Sequence, residues 1–180
     1  MTAERDGYLS GLVKGLVNVF SGGLPVLDEQ LQRAHDDDIR RSGPAATTEV
    51  VPPAAGELTI TYAPDRDGDP DAGEVVWTWV PYAEHDGRGK DRPVLVIARR
   101  DADRVYAVRL TSKGHEGDGD FLSLGSGPWD SQGRPSWVDI EQVYSVHRDG
   151  MRREASGLDL PRFTRVAQEL HRRYGWRIDA

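Results

Sequence analysis

The sequence contains no cysteine, which excludes disulfide bonds and metal sites built on thiolates. This absence is typical of proteins in a reducing compartment. No apolar run approaches the length needed to cross a membrane, and charged residues make up 29% of the chain. The first residues, with Glu4, Arg5 and Asp6, also lack the basic region of a signal peptide. We therefore expect a cytoplasmic protein that does not associate with membranes.

Excess positive charge is also missing. The formal net charge is -7, and all of the excess acidity lies in residues 1–72, because residues 73–180 contain 17 acids and 17 bases. A neutral second half is not typical of a basic nucleic-acid binder. A nucleic-acid site in that half would have to be a local patch.

Three segments with different compositions follow one another. Residues 8–20 place apolar side chains at helical spacing, and residues 24–41 continue as a weaker helical pattern. The chain is then rich in Pro, Gly, Ala, Thr and Asp. We predict an amphipathic helical segment over 1–41, an acidic linker with little order over 42–72, and a folded domain over 73–180.

The predicted domain is organised around one apolar run, Val94 to Ile97. Four consecutive aliphatic residues are typical of a strand buried on both faces, and Pro93 is expected at the first position of that strand. Apolar and β-branched patterns predict further strands at 74–82, 104–110, 121–124, 136–140 and 142–147. Asp159 and Gly175 delimit a terminal helix. These elements predict an α+β domain, most economically a partly open barrel.

Two polar residues are expected at one rim of this sheet. Arg92 precedes the buried run, and Thr111 ends the strand that returns beside it as a hairpin partner. An arginine and a hydroxyl near His85, Ser112, Lys113 and His115 could hold a phosphate, although the two histidines could also be only solvated. The structural alternatives are a salt bridge from Arg92 to Glu84 or Asp86, and a threonine that only satisfies a turn.

Four stretches carry a resemblance to a known family. They are GEVVWTWVPY at 73–82, GKDRPVLVI at 89–97, RLTSKG at 109–114 and IEQVYSVH at 140–147. In their order and separation they resemble the MazF/PemK toxins of type II toxin-antitoxin systems, from about Gly73 to Leu170. The resemblance implies a small SH3-like barrel of the MazF/PemK/CcdB type with a C-terminal helix, usually a homodimer. It also implies a metal-independent endoribonuclease without a cofactor, which cuts single-stranded RNA and is blocked by a cognate antitoxin.

Residue by residue, the resemblance assigns the family's catalytic arginine to Arg92 and its threonine to Thr111. Such a pair would stabilise the charge that develops on the phosphate when the 2′-hydroxyl attacks. His85 is the best local choice for a proton acceptor. Lys90, Ser112 and Lys113 would line the RNA groove. Stacking of bases on Tyr82, Trp129 or Trp137 is the alternative to a place for these rings in the core.

Two features depart from the family pattern. The loop after Thr111 carries Glu116, Asp118 and Asp120, which would repel RNA if they faced it. The acidic leader could cover the groove, recruit a partner or act as a tether. Two other functions stay open: a CcdB-type poison of gyrase, suggested by the terminal Tyr174-Gly175-Trp176 followed by Ile178, and a noncatalytic nucleic-acid or protein binding module.

Overall fold

The computed structural model describes residues 31, 32, 35, 38, 41–65, 69–82, 84 and 86–179. The chain divides into two compact units, Met1–Asp38 and Ile39–Ala180. The predicted helix over 8–20 lies outside the described residues, as does most of the helical pattern over 24–41. No helix in the described part of the chain is long and apolar enough to cross a membrane.

The second unit is a mainly antiparallel sheet with one long helix near its C-terminus. Six strands pair in the order β1-β7-β5-β4-β3-β8, while β6 pairs with β7 and β2 pairs with β9 in a separate parallel ribbon. The described strands are β1 (Thr48–Val50), β2 (Thr59–Thr61), β3 (Glu74–Pro81), β4 (Gly89–Arg99), β5 (Arg104–Thr111), β6 (Phe121–Gly125), β7 (Ser136–His147), β8 (Met151–Gly157) and β9 (Arg177–Asp179). These pairings leave the sheet open, so the predicted SH3-like barrel is not confirmed.

The apolar run predicted to be the core strand lies inside β4. Val94, Leu95, Val96 and Ile97 are all fully buried. Leu95 and Ile97 pack into one hydrophobic cluster, whereas Val94 and Val96 pack into a second. Because neighbouring residues of a strand point to opposite faces, this split confirms that β4 is buried on both faces.

The C-terminal helix, α1, spans Leu160–Tyr174 as its capping residues predict. The Asp159 carboxylate accepts a hydrogen bond from the Arg162 amide at 3.0 Å. Gly175 ends the helix with a φ of 71°, in the left-handed region where glycine has no steric penalty. Phe163, Val166 and Leu170 form its buried face.

Residues 42–72 differ from the prediction of a linker with little order. This segment contains β1, which pairs with β7, and β2, which pairs with β9. Leu58 and Ile60 belong to the same hydrophobic cluster as Leu95. The composition misled the prediction because the few apolar residues in this segment become buried against strands that are distant in sequence.

Two further elements differ from the expected pattern. The strands predicted at 136–140 and 142–147 form one continuous strand, β7, whose pairing with β5 shifts register between Val108 and Leu110. Such a shift bends a strand without ending it. Pro93 lies inside β4, opposite Trp77, and not at its start. The pairing of β4 with β5 extends only to Val94, so the missing N–H falls where β4 has no partner on that side.

Candidate functional site

Arg92 lies on β4 opposite Thr78 of β3, just before the buried run. Its side chain is half-buried. Within the described part of the chain it has no salt bridge and no hydrogen bond. Asp86, one of the two acids considered for it, is instead paired with Arg88 at 2.7 Å. Arg92 therefore holds a positive charge near the core that no described acid neutralises.

The environment of Arg92 disfavours its charge. Burial, and secondly the positive charge of Arg109, lower the pKa of the Arg92 guanidinium from its usual value. A bound anion would relieve both effects, because it would replace lost water contacts and screen the neighbouring cation. The surroundings of Arg92 are thus suited to an anionic ligand.

Thr111 ends β5, where it pairs with Trp137 of β7. Its hydroxyl oxygen accepts a hydrogen bond from the Lys113 amide at 3.2 Å, so it stabilises the turn that follows the strand. The hydroxyl proton is not used in that bond and can be donated to a ligand. The structural and binding roles considered for this residue are therefore compatible.

Arg92 and Thr111 line the same cleft, which has a volume of about 280 Å³ and is called here the Arg92 cleft. The antiparallel register that pairs Val94 with Arg109 brings the start of β4 beside the end of β5. Lys90, Ser112 and Lys113 also line this cleft. Five of the six site residues predicted from the sequence are thus brought together. The sixth, His85, lies outside the described residues.

The walls of the Arg92 cleft include residues that the sequence analysis did not assign to the site. Asp130 and Arg134, four positions apart in the loop after β6, form an ion pair at 2.9 Å. The hydrogen bond from Arg134 is the main cause of a lowered pKa for the Asp130 carboxyl. Trp77 contributes an indole whose buried N–H has no described hydrogen-bond partner. The available sequence signal was one acid and one base, four positions apart in a polar loop.

The acidic residues of the loop after Thr111 do not line the cleft, although Ser112 and Lys113 at its start do. Asp120 accepts a hydrogen bond from Arg173 of α1 at 2.5 Å, and Asp118 lies 3.6 Å from His115. The His115 ring stacks on Phe121 with centroids 3.5 Å apart, which leaves it a packing role. None of these three polar residues lines the Arg92 cleft. Because these acids do not line the cleft and Asp120 is paired with Arg173, we expect a weaker repulsion of RNA than the sequence suggested.

Three aromatic residues considered for other roles, Trp129, Tyr174 and Trp176, make structural contacts. Trp129 is 2% exposed, and its indole N–H donates to the Ser136 hydroxyl at 3.1 Å. Trp176, proposed as part of an exposed gyrase-binding tip, is fully buried and donates to the Pro53 carbonyl at 2.8 Å. Tyr174 stacks on it with centroids 4.5 Å apart. Of the residues that suggested a CcdB-type poison, Tyr174 and Trp176 thus pack in or against the core, whereas Ile178 is exposed.

Comparisons with known proteins match this part of the chain. A sequence model described as the PemK-like, MazF-like toxin of type II toxin-antitoxin system matches residues 71–173, more than half of the chain. A search of curated proteins finds no match.

Three of the solved structures that are similar to the chain come from Deinococcus radiodurans and from mycobacteria. One is a chain of MazE-MazF from Deinococcus radiodurans, with 20% identity over 59% of this chain and 96% of that chain and a TM-score of 0.46. A second is an endoribonuclease in complex with its cognate antitoxin from a mycobacterial species, with 18% identity, coverages of 58% and 93%, and a TM-score of 0.45. The third is the Mycobacterium tuberculosis toxin MazF-mt6, with 15% identity, coverages of 59% and 99%, and a TM-score of 0.44.

Proposed function

The chain belongs to the PemK-like, MazF-like family of toxins of type II toxin-antitoxin systems, and we propose that it is a metal-independent endoribonuclease that cuts single-stranded RNA. The observation that carries the proposal is the meeting of Arg92 and Thr111 in one cleft. The absence of a described acid partner for Arg92 supports it further. The 2′-hydroxyl of the substrate would attack the adjacent phosphorus and the bond from phosphorus to the 5′ oxygen would break. The 5′ oxygen would take a proton from water, so the products are a 2′,3′-cyclic phosphate and a 5′-hydroxyl.

The chemistry needs positive charge where the phosphate becomes more negative. In the transition state of this attack, the nonbridging oxygens gain charge, so donors directed at them lower the barrier selectively. Arg92 supplies a permanently charged donor, since even a lowered arginine pKa leaves the group protonated at neutral pH. Thr111 donates its hydroxyl proton to the same phosphate. His85 stays our proposal for the group that accepts the 2′-hydroxyl proton.

The residues around this pair would hold the RNA strand. Lys90 and Lys113 are exposed at the cleft and would neutralise flanking phosphates, while Ser112 would donate a hydrogen bond. We propose a cognate antitoxin as the partner that blocks the cleft, a homodimer as the assembly and the cytoplasm as the location. Solved relatives described as MazE-MazF and as an endoribonuclease with its cognate antitoxin support the first of these.

The test is a cleavage assay with the full-length protein and a mixed RNA pool in the presence of a chelator. We expect fragments that end in 2′,3′-cyclic phosphate. Arg92→Ala should lower the rate roughly 100- to 1000-fold, as removal of one charge-stabilising donor typically does. Thr111→Val keeps the shape of the side chain and should cost less, roughly tenfold.

A matched control is Arg177→Ala, which removes an exposed arginine on β9, outside the cleft. Its cleavage rate should equal that of the wild type. RNA binding without any cleavage, or equal rates for Arg92→Ala and wild type, would rule out the proposed activity. Binding that survives without cleavage would favour the noncatalytic module instead.

A further inference from the structure

A second cavity of about 410 Å³ shares Arg92 with the first, and we call it the Gln142 cavity. Besides Arg92, its walls are formed mainly by Tyr82 after β3, Arg109 of β5, and Gln142 and Tyr144 of β7. Its volume lies within the usual range for small-ligand sites. A phosphate at Arg92 would therefore have a neighbouring space large enough for a nucleobase.

Arg109 presents a fixed donor to this cavity. Its Nε and Nη2 atoms donate to one oxygen of Asp139 at 2.8 and 2.7 Å. Asp139 is 1% exposed, and its other carboxylate oxygen accepts from the Glu141 amide at 2.9 Å. The guanidinium is thereby held in one orientation, and its Nη1 group has no partner in the described part of the chain.

Gln142 presents a second donor. The Tyr144 hydroxyl donates to the Gln142 side-chain oxygen at 2.8 Å. Burial raises the pKa of Tyr144 to about 12, so this hydroxyl keeps its proton at neutral pH. With its oxygen engaged, the amide group of Gln142 is left to donate its N–H groups to a ligand.

The Gln142 cavity therefore presents oriented N–H groups of Arg109 and Gln142, which can donate hydrogen bonds to acceptor atoms on the edge of a base. Among the described lining residues its one carboxylate is Glu84, whose side chain is exposed. Uracil and guanine carry a carbonyl oxygen at the position where cytosine and adenine carry an amino group, so only the first two present an acceptor there. The half-buried ring of Tyr82 adds a surface on which a base can stack.

From this arrangement we propose that the Gln142 cavity binds the base next to the phosphate held by Arg92 and selects uracil or guanine over cytosine and adenine. Gln142 and Arg109 are the specificity-determining residues, and Tyr82 contributes affinity without base preference. The proposal rests on the proposed RNA cleavage and adds to it a substrate preference at one nucleotide.

Binding of non-cleavable RNA tests the preference apart from the chemistry. The probes are fluorescein-labelled 2′-O-methyl hexanucleotides of uridine, cytidine and adenosine, and their affinity for the full-length protein is measured by fluorescence anisotropy. We expect the wild type to bind the uridine hexamer about tenfold more tightly than the cytidine hexamer, as one good base-edge contact allows. Gln142→Glu replaces a donor with an acceptor and should bring this ratio to one or below.

The control is Gln168→Glu, which makes the same chemical change on the exposed face of α1 and should leave the ratio at its wild-type value. Tyr144→Phe provides a second variant that keeps the buried ring. It removes the hydroxyl that orients the Gln142 amide, so the ratio should fall by about threefold. Circular dichroism spectra establish that each variant is folded.

The outcomes separate this proposal from the proposed function. Equal binding of all three hexamers by a wild type that cleaves RNA would overturn the base preference and leave the nuclease intact. An unchanged ratio in folded Gln142→Glu and Tyr144→Phe proteins would also overturn it. If no hexamer binds, the preference is overturned, and the cleavage assay decides separately on the nuclease.

Discussion

The two halves of β4 have opposite properties although they form one continuous strand. From Val94 to Ile97 every side chain is fully buried, and the strand pairs with β3 on one side and β5 on the other. From Gly89 to Pro93 it pairs, among the described strands, with β3 alone, and Lys90 and Asp91 are exposed. The loss of one neighbouring strand thus opens the space that becomes the Arg92 cleft.

This contrast shows how a small sheet can place a charge without weakening its core. Arg92 is only two residues from Val94, so its backbone is held by the same packing that fixes the buried half. Its guanidinium nevertheless reaches a cleft. The buried half of β4 fixes the position of Arg92, and the open half lets a ligand reach its guanidinium. Electrostatic stabilisation of a transition state requires both a fixed charge and access to it.

The largest expected effect comes from removing residues 1–72. Leu58 and Ile60 pack into the cluster that contains Leu95 and Ile97, and the Tyr62 hydroxyl donates to the Leu158 carbonyl at 2.9 Å. A protein beginning at Gly73 loses all three residues, so we expect it to lack a cooperative unfolding transition. Thermal unfolding followed by circular dichroism measures this directly.

The control for this deletion is a protein that lacks residues 1–38, which should unfold cooperatively because it keeps the whole second unit. Cooperative unfolding of the Gly73 protein at the same temperature would show that the buried half of β4 needs no support from the N-terminal side. A restraint of RNA cleavage by the acidic leader is better tested by deleting residues 1–38 than by deleting residues 1–72, because the shorter deletion keeps the whole second unit.

A second prediction compares one substitution in each half of β4. Leu95→Ala creates a cavity at a fully buried position and should lower the free energy of unfolding by about 2–5 kcal/mol. Arg92→Ala removes a half-buried cation without a described acid partner and should change it by less than about 1 kcal/mol. Urea unfolding gives both values. A larger loss for Arg92→Ala than for Leu95→Ala would contradict the division of roles between the halves.

The parts of the fold that follow from local chemistry were accessible from the sequence. A run of four aliphatic residues specifies a strand buried on both faces, and Asp159 and Gly175 specify the ends of α1. Arg92 and Thr111 could be placed at one rim because an antiparallel hairpin brings the start of one strand to the end of the next. Each inference needed only neighbouring residues or one turn.

The parts that depend on distant contacts were not accessible. Ile60 has exposed polar neighbours in β2, and it is buried because it packs into the cluster that contains Leu95 and Leu158, which are distant in sequence. Because Trp176 follows the last helix, the sequence alone suggests an exposed tip. In the structure its indole N–H donates a hydrogen bond to the Pro53 carbonyl. Gln142 and Arg109 line the same cavity because their strands, β7 and β5, pair with each other.

The smallest predicted effect concerns the ion pair at the wall of the open half. The hydrogen bond from Arg134 lowers the pKa of Asp130 below its ordinary value of 3.8, so the folded protein favours the carboxylate. This stabilisation is fully present above pH 3.8 and disappears as the pH falls through the lowered pKa. Asp130→Asn should therefore reduce the free energy of unfolding at pH 7 by less than about 1 kcal/mol, because the Arg134 side chain is 51% exposed and water screens the pair. Urea unfolding of both proteins at pH 7, 4 and 3 should show a difference that shrinks at the lowest pH. A difference that stays constant to pH 3 would mean that it does not arise from the ionisation of Asp130.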